Sequence, residues 1–149
     1  MPTSNELDKV RQLAGRLLSL DLGARRIGIA VSDELRVTVR PLPHIIRTNW
    51  KQLVRTLSEL RGSFDAQGIV IGLPLKMDGT EGSAALEARR IARNLELTLR
   101  VPVFLQDERL TSIEAKQKLS SSGVATTQVT EKIDSEAAAL ILRDFISSH

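Results

Sequence analysis

The sequence predicts an α/β protein organised on a five-stranded mixed sheet, and three observations carry that expectation. Three β-patterned segments follow one another near the amino end, separated only by short turns, which makes an antiparallel meander. The remainder alternates helical and strand patterns, the arrangement that adds parallel strands to a sheet and covers it with helices. The stretch LLSLDL at positions 17–22 carries aliphatic side chains on both of its faces, with Leu18, Leu20 and Leu22 on one and Leu17, Ser19 and Asp21 on the other. A strand apolar on both sides is a central one, covered above and below.

Taken in order, residues 1–15 read as an amino-terminal extension, with Leu7, Val10, Leu13 and Ala14 able to form one side of a short helix; residues 16–149 read as a single domain. The first strand is expected over 16–22, ended by Gly23, and the second over 26–32 with Ile27, Ile29 and Val31. A third spans 37–47, and Pro41 and Pro43 make it a broken or edge strand because proline cannot donate to a ladder. Residues 48–61 read as a helix with Leu53, Leu57 and Leu60 inward, Thr48 or Asn49 as its cap, and Gly62 and Ser63 closing it. GIVIG at 68–72 is a short buried strand of the parallel type. The loop at 73–83 is rich in turn formers, and Gly72, Gly79 and Gly82 would give it freedom to close on a ligand or simply serve its turns.

Residues 84–99 read as a helix with the inner stripe Ala88, Ile91, Ala92, Leu95 and Leu99, leaving Arg89, Arg90 and Arg93 on the other side. A fifth strand follows at 101–106. Thr111 with Glu114 three positions on has the form of a capping box for a helix stopped by Gly123. A polar connection at 125–130 leads to the last helix, with Asp134 and the apolar set Ala137, Leu140, Ile141 and Phe145. If the fourth strand joins the first on the side away from the second, a cleft forms beyond their carboxyl ends, where open α/β sheets bind ligands. Asp21, the 73–83 loop and Glu108 would meet there.

Composition narrows the function classes. The chain has 149 residues and no cysteine, which excludes disulfides, a thiolate nucleophile and cysteine-ligated zinc, and suits a reducing cytoplasm. Neither a signal-peptide pattern nor a run long and apolar enough to span a bilayer is present, so a soluble, cytoplasmic protein without membrane partners is expected. Net charge is only +3, but arginines cluster at Arg25 and Arg26 and again at Arg89, Arg90 and Arg93. Guanidinium groups engage phosphate bidentately. An ordinary solvated surface is the alternative reading. Aromatic residues make up 3% of the chain and tyrosine is absent, which argues against base stacking as a main mode of nucleic-acid recognition.

Three carboxylates stand out: Asp21 in an aliphatic strand, Glu108 at a strand end and Asp134 near the start of the final helix. A buried carboxylate needs a cation or a proton to compensate it. Each also has a structural alternative: Asp21 bonded to backbone amides, Glu108 solvated in a loop, Asp134 favoured by the helix amino end. Asp33, Asp78 and Asp107 sit where turns are expected and suit structural roles. Arg25, Arg26, Lys76 and Arg109 are candidates for contacts to backbone phosphates, with a salt bridge as the alternative for Arg109.

Four motifs in this order and spacing, LDLGARRIGIAVSD, IVIGLPLKMDGTEG, QDERLTSIEA and KIDSEAAALIL, resemble the YqgF family. Its members are described as Holliday-junction resolvases (RuvX) or as nucleases that trim the precursor of 16S ribosomal RNA. The resemblance implies an RNase H-like fold and an acidic active site at Asp21, Glu108 and Asp134 for metal-dependent hydrolysis of phosphodiesters. Two Mg²⁺ or Mn²⁺ ions about 3.5–4 Å apart would serve the nucleophile and the leaving group. Asp21 would bridge them, Glu108 and Asp134 would complete one ion each, and the products would carry 5′-phosphates. The implied partner is precursor ribosomal RNA or branched DNA, handled by a monomer or a homodimer. DLGARRIGIA also resembles the first phosphate loop of sugar-kinase and actin-like ATPases, which need a second lobe that this length does not supply. A non-catalytic RNA-binding or transcription-associated module would keep the basic residues but has no need of three converging acids.

Overall fold

The computed structural model describes residues 13–108 and 126–149, the side chains of 126–134 excepted. The expected amino-terminal extension, the helix starting at Thr111 and its stop at Gly123 therefore lie outside the described residues, in whole or in large part. The strands are β1 (Leu17–Leu22), β2 (Arg26–Ser32), β3 (Val39–Ile46), β4 (Gly68–Leu73) and β5 (Val103–Asp107). The described helices are α1 (Trp50–Phe64), α2 (Ser83–Leu99) and α3 (Thr126–Ser148).

The sheet order is β3-β2-β1-β4-β5. β1 pairs antiparallel with β2 and parallel with β4, β2 pairs antiparallel with β3, and β4 pairs parallel with β5. The proline-bearing third strand occupies an edge, as a strand lacking donors must. β1 and β4 sit in the middle, and every residue of GIVIGL in β4 is buried. None of the described helices is long and apolar enough to cross a membrane.

Alternation along β1 divides the core in two. Leu18 and Leu20 join Ile27, Ile29, Ile69 and Ile71 under α1 and α2, with Leu22 packed at the margin. Leu17 faces the other way, with Ala30, Val70 and Phe104, against Ala138, Ile141, Leu142 and Phe145 of α3. Burial of each such leucine or isoleucine contributes about 1.5–3 kcal/mol. The alanine run at Ala137, Ala138 and Ala139 is fully buried and lets α3 approach the sheet closely. Ser19 Oγ donates to the Ala138 carbonyl at 2.7 Å, so the one polar residue in the middle of β1 is satisfied by the helix above it.

Several boundaries differ from expectation for local reasons. α1 does not stop at Gly62 and Ser63; it ends when Asp65 turns into the left-handed region at φ 51°, its N–H donating to the Arg61 and Gly62 carbonyls. Asn49 caps the other end by accepting from the Gln52 amide at 2.9 Å. β5 begins later than expected, at Val103: Pro102 has no N–H to give to a ladder, and its carbonyl accepts the first cross-strand bond, from the Ile69 amide at 3.0 Å. The stretch at 126–130, expected as a connection, forms the first turns of α3. Its polarity marks residues without an apolar face to bury, which does not forbid a helix.

Candidate active site

The acids sit at the carboxyl end of the parallel strands because the local sequence leaves them no other course. Asp21 is the penultimate residue of β1, followed by a turn in which the Gly23 amide donates to the Asp21 carbonyl at 3.1 Å. A Cβ at Gly23 would stand 2.4 Å from the Arg26 carbonyl oxygen, so only glycine permits so tight a return into β2. By the strand's alternation Asp21 shares a face with Leu17 and Ser19, the face that α3 covers.

Glu108 follows β5 directly, and its amide donates to the Leu73 carbonyl at 3.2 Å, which carries the ladder one step beyond the strand. The register of β4 explains how a residue at this outer strand reaches toward β1. Leu20 pairs with Ile71, so Asp21 comes alongside Gly72, and Gly72 in turn pairs with Gln106. A Cβ at Gly72 would lie 2.5 Å from Glu108 Oε2, 2.8 Å from its Cδ and 2.6 Å from Ile141 Cδ1. The missing side chain is the space through which the Glu108 carboxyl crosses β4. Gly72 is thus a buried strand residue that shapes the site rather than part of the loop.

Burial pushes the Glu108 carboxyl up to about 9, with the negative charge of Asp21, a hydrogen bond to Asp21 and the charge of Asp107 adding in the same direction. Two carboxyl groups in hydrogen-bond contact must share a proton, or exchange it for a cation. Glu108 Oε2 is buried, and no donor among the described residues meets it. Hard oxygen donors, an acceptor without a donor and a cradle that a methyl group would fill together suit a small divalent cation such as Mg²⁺ or Mn²⁺.

The other expected site residues fall differently. Asp134 belongs to α3, but its side chain lies outside the described residues, as does Arg109 altogether. Among the described residues no three of His, Asp and Glu gather to hold a metal; Asp21 and Glu108 are a pair. Arg25 is exposed in the β1–β2 turn, and Arg26 opens β2 half-buried. Lys76 is exposed in the 73–83 loop, which is held by the Leu75–Glu81 bridge and by the Lys76 amide donating to the Thr80 carbonyl at 2.9 Å. Asp33 has the expected turn role: its Oδ1 accepts from the Val37 and Thr38 amides, each at 2.7 Å. The Thr38 amide is foremost in holding its carboxyl below the usual carboxylate range. Asp107, by contrast, ends β5 instead of forming a turn.

Sequence reading missed Ser135, next to Asp134. Its hydroxyl donates to the Leu42 carbonyl at 2.5 Å and accepts from the Ile29 amide at 3.5 Å, where the β2–β3 register shifts between Ile27 and Ile29. One serine thereby fixes α3 against two strands. The signal available was a serine beside an acid at the head of an alanine-rich apolar run.

The family model described as "RuvX: Holliday junction resolvase" matches residues 15–148. The chain belongs to the RuvX family. A relative from Syntrophus aciditrophicus (strain SB), named "Putative pre-16S rRNA nuclease", is 42% identical over 133 residues, covering 89% of each chain. Another of that name, from Anaeromyxobacter dehalogenans (strain 2CP-C), is 42% identical over 131 residues, covering 88% of this chain and 96% of its own. Among solved structures, T. thermophilus RuvC in complex with a Holliday junction substrate superposes with a TM-score of 0.53 at 13% identity, covering 90% of this chain and 94% of that one. At that identity the likeness concerns the fold, which is the RNase H-like one that this RuvX chain shares. The pair Asp21 and Glu108 lies at the carboxyl edge of its parallel strands, where such sheets place ligands.

Proposed function

We propose that this RuvX-family chain is a divalent-metal-dependent endonuclease of the cytoplasm that hydrolyses phosphodiesters in the precursor of 16S ribosomal RNA. The observation that carries the reading is the contact between Asp21 and Glu108, two acids that burial leaves with a proton in place of a cation. The relatives' name, at about two-fifths identity over most of the chain, supports the ribosomal RNA precursor as substrate.

Divalent ions bound there would supply activation of water, neutralisation of charge building on phosphorus and stabilisation of the departing 3′ oxygen. Asp21, on the central strand, and Glu108, over Gly72, would be the ligands, with Asp134 proposed as the third. Glu108 would give up its proton in taking that role. The buried aliphatic residues beneath give the two carboxyls a packed base at the edge of the sheet, which limits the reorganisation needed as charge develops. Arg25 and Arg26 at the adjoining turn, with Lys76 and Arg109, would hold flanking phosphates and position the strand without reading its sequence.

The test is Mg²⁺- or Mn²⁺-dependent cleavage of precursor ribosomal RNA beside a four-way DNA junction, with Asp21→Asn as control. Cuts bearing 5′-phosphates that vanish in Asp21→Asn are expected, and an Asp21→Asn protein of full rate would end the assignment. The family description favours a second reading, resolution of DNA junctions. Paired cuts across a junction need two sites related by a two-fold axis. Symmetric junction cleavage by a homodimer, without cleavage of the RNA precursor, would select that reading.

A further inference from the structure

On the face opposite the acids, at the same end of the sheet, a cavity of about 420 Å³ opens between β2, β3, α1 and α2. Buried Ile27 and Ile91 form its floor. Trp50, 40% exposed, and Ile46, 59% exposed, stand as apolar walls, while Arg90 and Asn94 add polar groups. No acidic residue lines it. We infer that this cavity accepts one unpaired nucleobase of the nucleic-acid strand, stacked on Trp50, with Arg90 on the neighbouring phosphate. The inference deepens the proposed nuclease function and rests on it for the identity of the ligand class.

Each part of the cavity answers one feature of a nucleotide. Its volume falls in the range of small-molecule sites, about 300–1,000 Å³. An exposed indole beside aliphatic side chains offers a face to a base without regard to its sequence. Asn94 supplies both a donor and an acceptor for a base edge. The two arginines are not equivalent: Arg47 forms an ion pair with Glu87 and donates to the Gly23 carbonyl at 3.0 Å, so its charge and geometry are already committed. Exposed Arg90 makes no ion pair among the described residues, which leaves a guanidinium for phosphate.

The cavity also lies on a path from the acids. Ile27 in its floor pairs with Leu22, the residue after Asp21, and Arg47 in its wall holds the β1–β2 turn through the Gly23 and Arg25 carbonyls. A strand passing the carboxyl pair and rounding that turn meets exposed Arg25 and then the cavity. The scarcity of aromatic residues limits the chain to very few stacking platforms, and its single tryptophan stands at this one.

Because Trp50 is the only tryptophan, its fluorescence reports the cavity alone. Short single-stranded RNA, DNA of the same sequence and an abasic strand of equal length are titrated into full-length Asp21→Asn protein, with binding followed separately by anisotropy of a label on the strand. RNA or DNA should quench the indole as it binds, and the abasic strand should bind without quenching. Trp50→Leu should weaken binding of the base-bearing strand about 5- to 100-fold, with Trp50→Phe restoring most of it. Arg90→Gln should reduce the salt slope by about one. Saturated binding with no change in the indole signal, or a Trp50→Leu protein that binds like its parent, overturns the inference while leaving cleavage by the wild type untouched. Intact quenching by a wild-type protein that cleaves nothing removes the nuclease reading and leaves the cavity as a binding site.

Discussion

Gly72→Ala tests the site at its tightest point. The added methyl would stand 2.5 Å from Glu108 Oε2, just past β5, and 2.6 Å from Ile141 Cδ1 of α3. Ordinary contacts lie near 3.5–4.0 Å, so the neighbours must retreat by about 1 Å. Alanine in place of glycine stiffens the unfolded chain and contributes roughly 0.4–1 kcal/mol of stability. Overpacking a close-packed interior costs about 1–3 kcal/mol. The second effect prevails because Ile141 is fully buried and cannot move aside freely. A net loss of about 1–2 kcal/mol corresponds to a melting temperature lower by roughly 2–8 °C. Moving a catalytic group by about 1 Å costs on the order of 100-fold in rate. Thermal unfolding in EDTA and cleavage rate against Mg²⁺ concentration measure the two effects separately. The double variant Gly72→Ala/Ile141→Val removes the Cδ1 contact, so it should recover stability but not rate. A Gly72→Ala protein with parental rate and metal dependence would refute the reasoning, since Glu108 could then act without crossing β4 there.

Asp21→Asn should abolish metal-dependent cleavage yet leave the metal-free protein as stable or more stable, because it removes a charge that opposes ionisation of Glu108; unfolding in EDTA checks it. The metal-free protein should lose stability as pH rises from about 4.5 toward 9, since the folded chain keeps on Glu108 a proton that the unfolded chain releases. The loss should vanish in Glu108→Gln, and a wild-type melting temperature flat over that window would contradict it. Replacing Arg25 and Arg26 by alanine should weaken RNA binding and flatten its dependence on salt, and an unchanged slope would remove them from the phosphate contacts. Ser135→Ala should destabilise the fold by about 1–3 kcal/mol in chemical denaturation by leaving the Leu42 carbonyl without its donor.

The sheet was legible in the sequence because its signals are local and redundant. Leu17, Leu18 and Leu20 identify a doubly covered strand, two prolines exile β3 to an edge, and GIVIG admits little but a buried strand. Helix limits were less legible. Gly62 is an obvious breaker but meets nothing within 4 Å and needs no special backbone angle, whereas Asp65 ends α1 in a conformation that propensity assigns to glycine. The start of α3 was obscured by the same polarity that marks loops. Of the site, Asp21 was legible as a misfit among aliphatics. The part played by Gly72 was not, because a buried glycine in a strand looks like a packing or turn residue until the strand beside it sends a carboxylate across it.

The place of the acid pair explains how the chain can keep it. Glu108 and Asp21 oppose each other with Asp107 nearby, an arrangement that costs stability when all are ionised. That cost falls at the ends of β1 and β5, one residue beyond the strand in the case of Glu108, rather than in the middle of the sheet. A few residues back, Leu18, Leu20, Ile69 and Ile71 are fully buried, and Ser19, the polar residue nearest to Asp21 on its face, is bound to α3. Repulsion is therefore confined to a margin that can relax by taking up a proton. The core beneath is anchored to α3 by Ser19 and Ser135, so an exchange of that proton for a cation, as the proposed function requires, would change charge at the edge without repacking the interior. A site built this way should bind metal with release of protons and little change in fold, and calorimetry in buffers of different ionisation enthalpy would detect that release. Metal uptake without a proton would mean that the carboxyls were already ionised and that some other group compensates them.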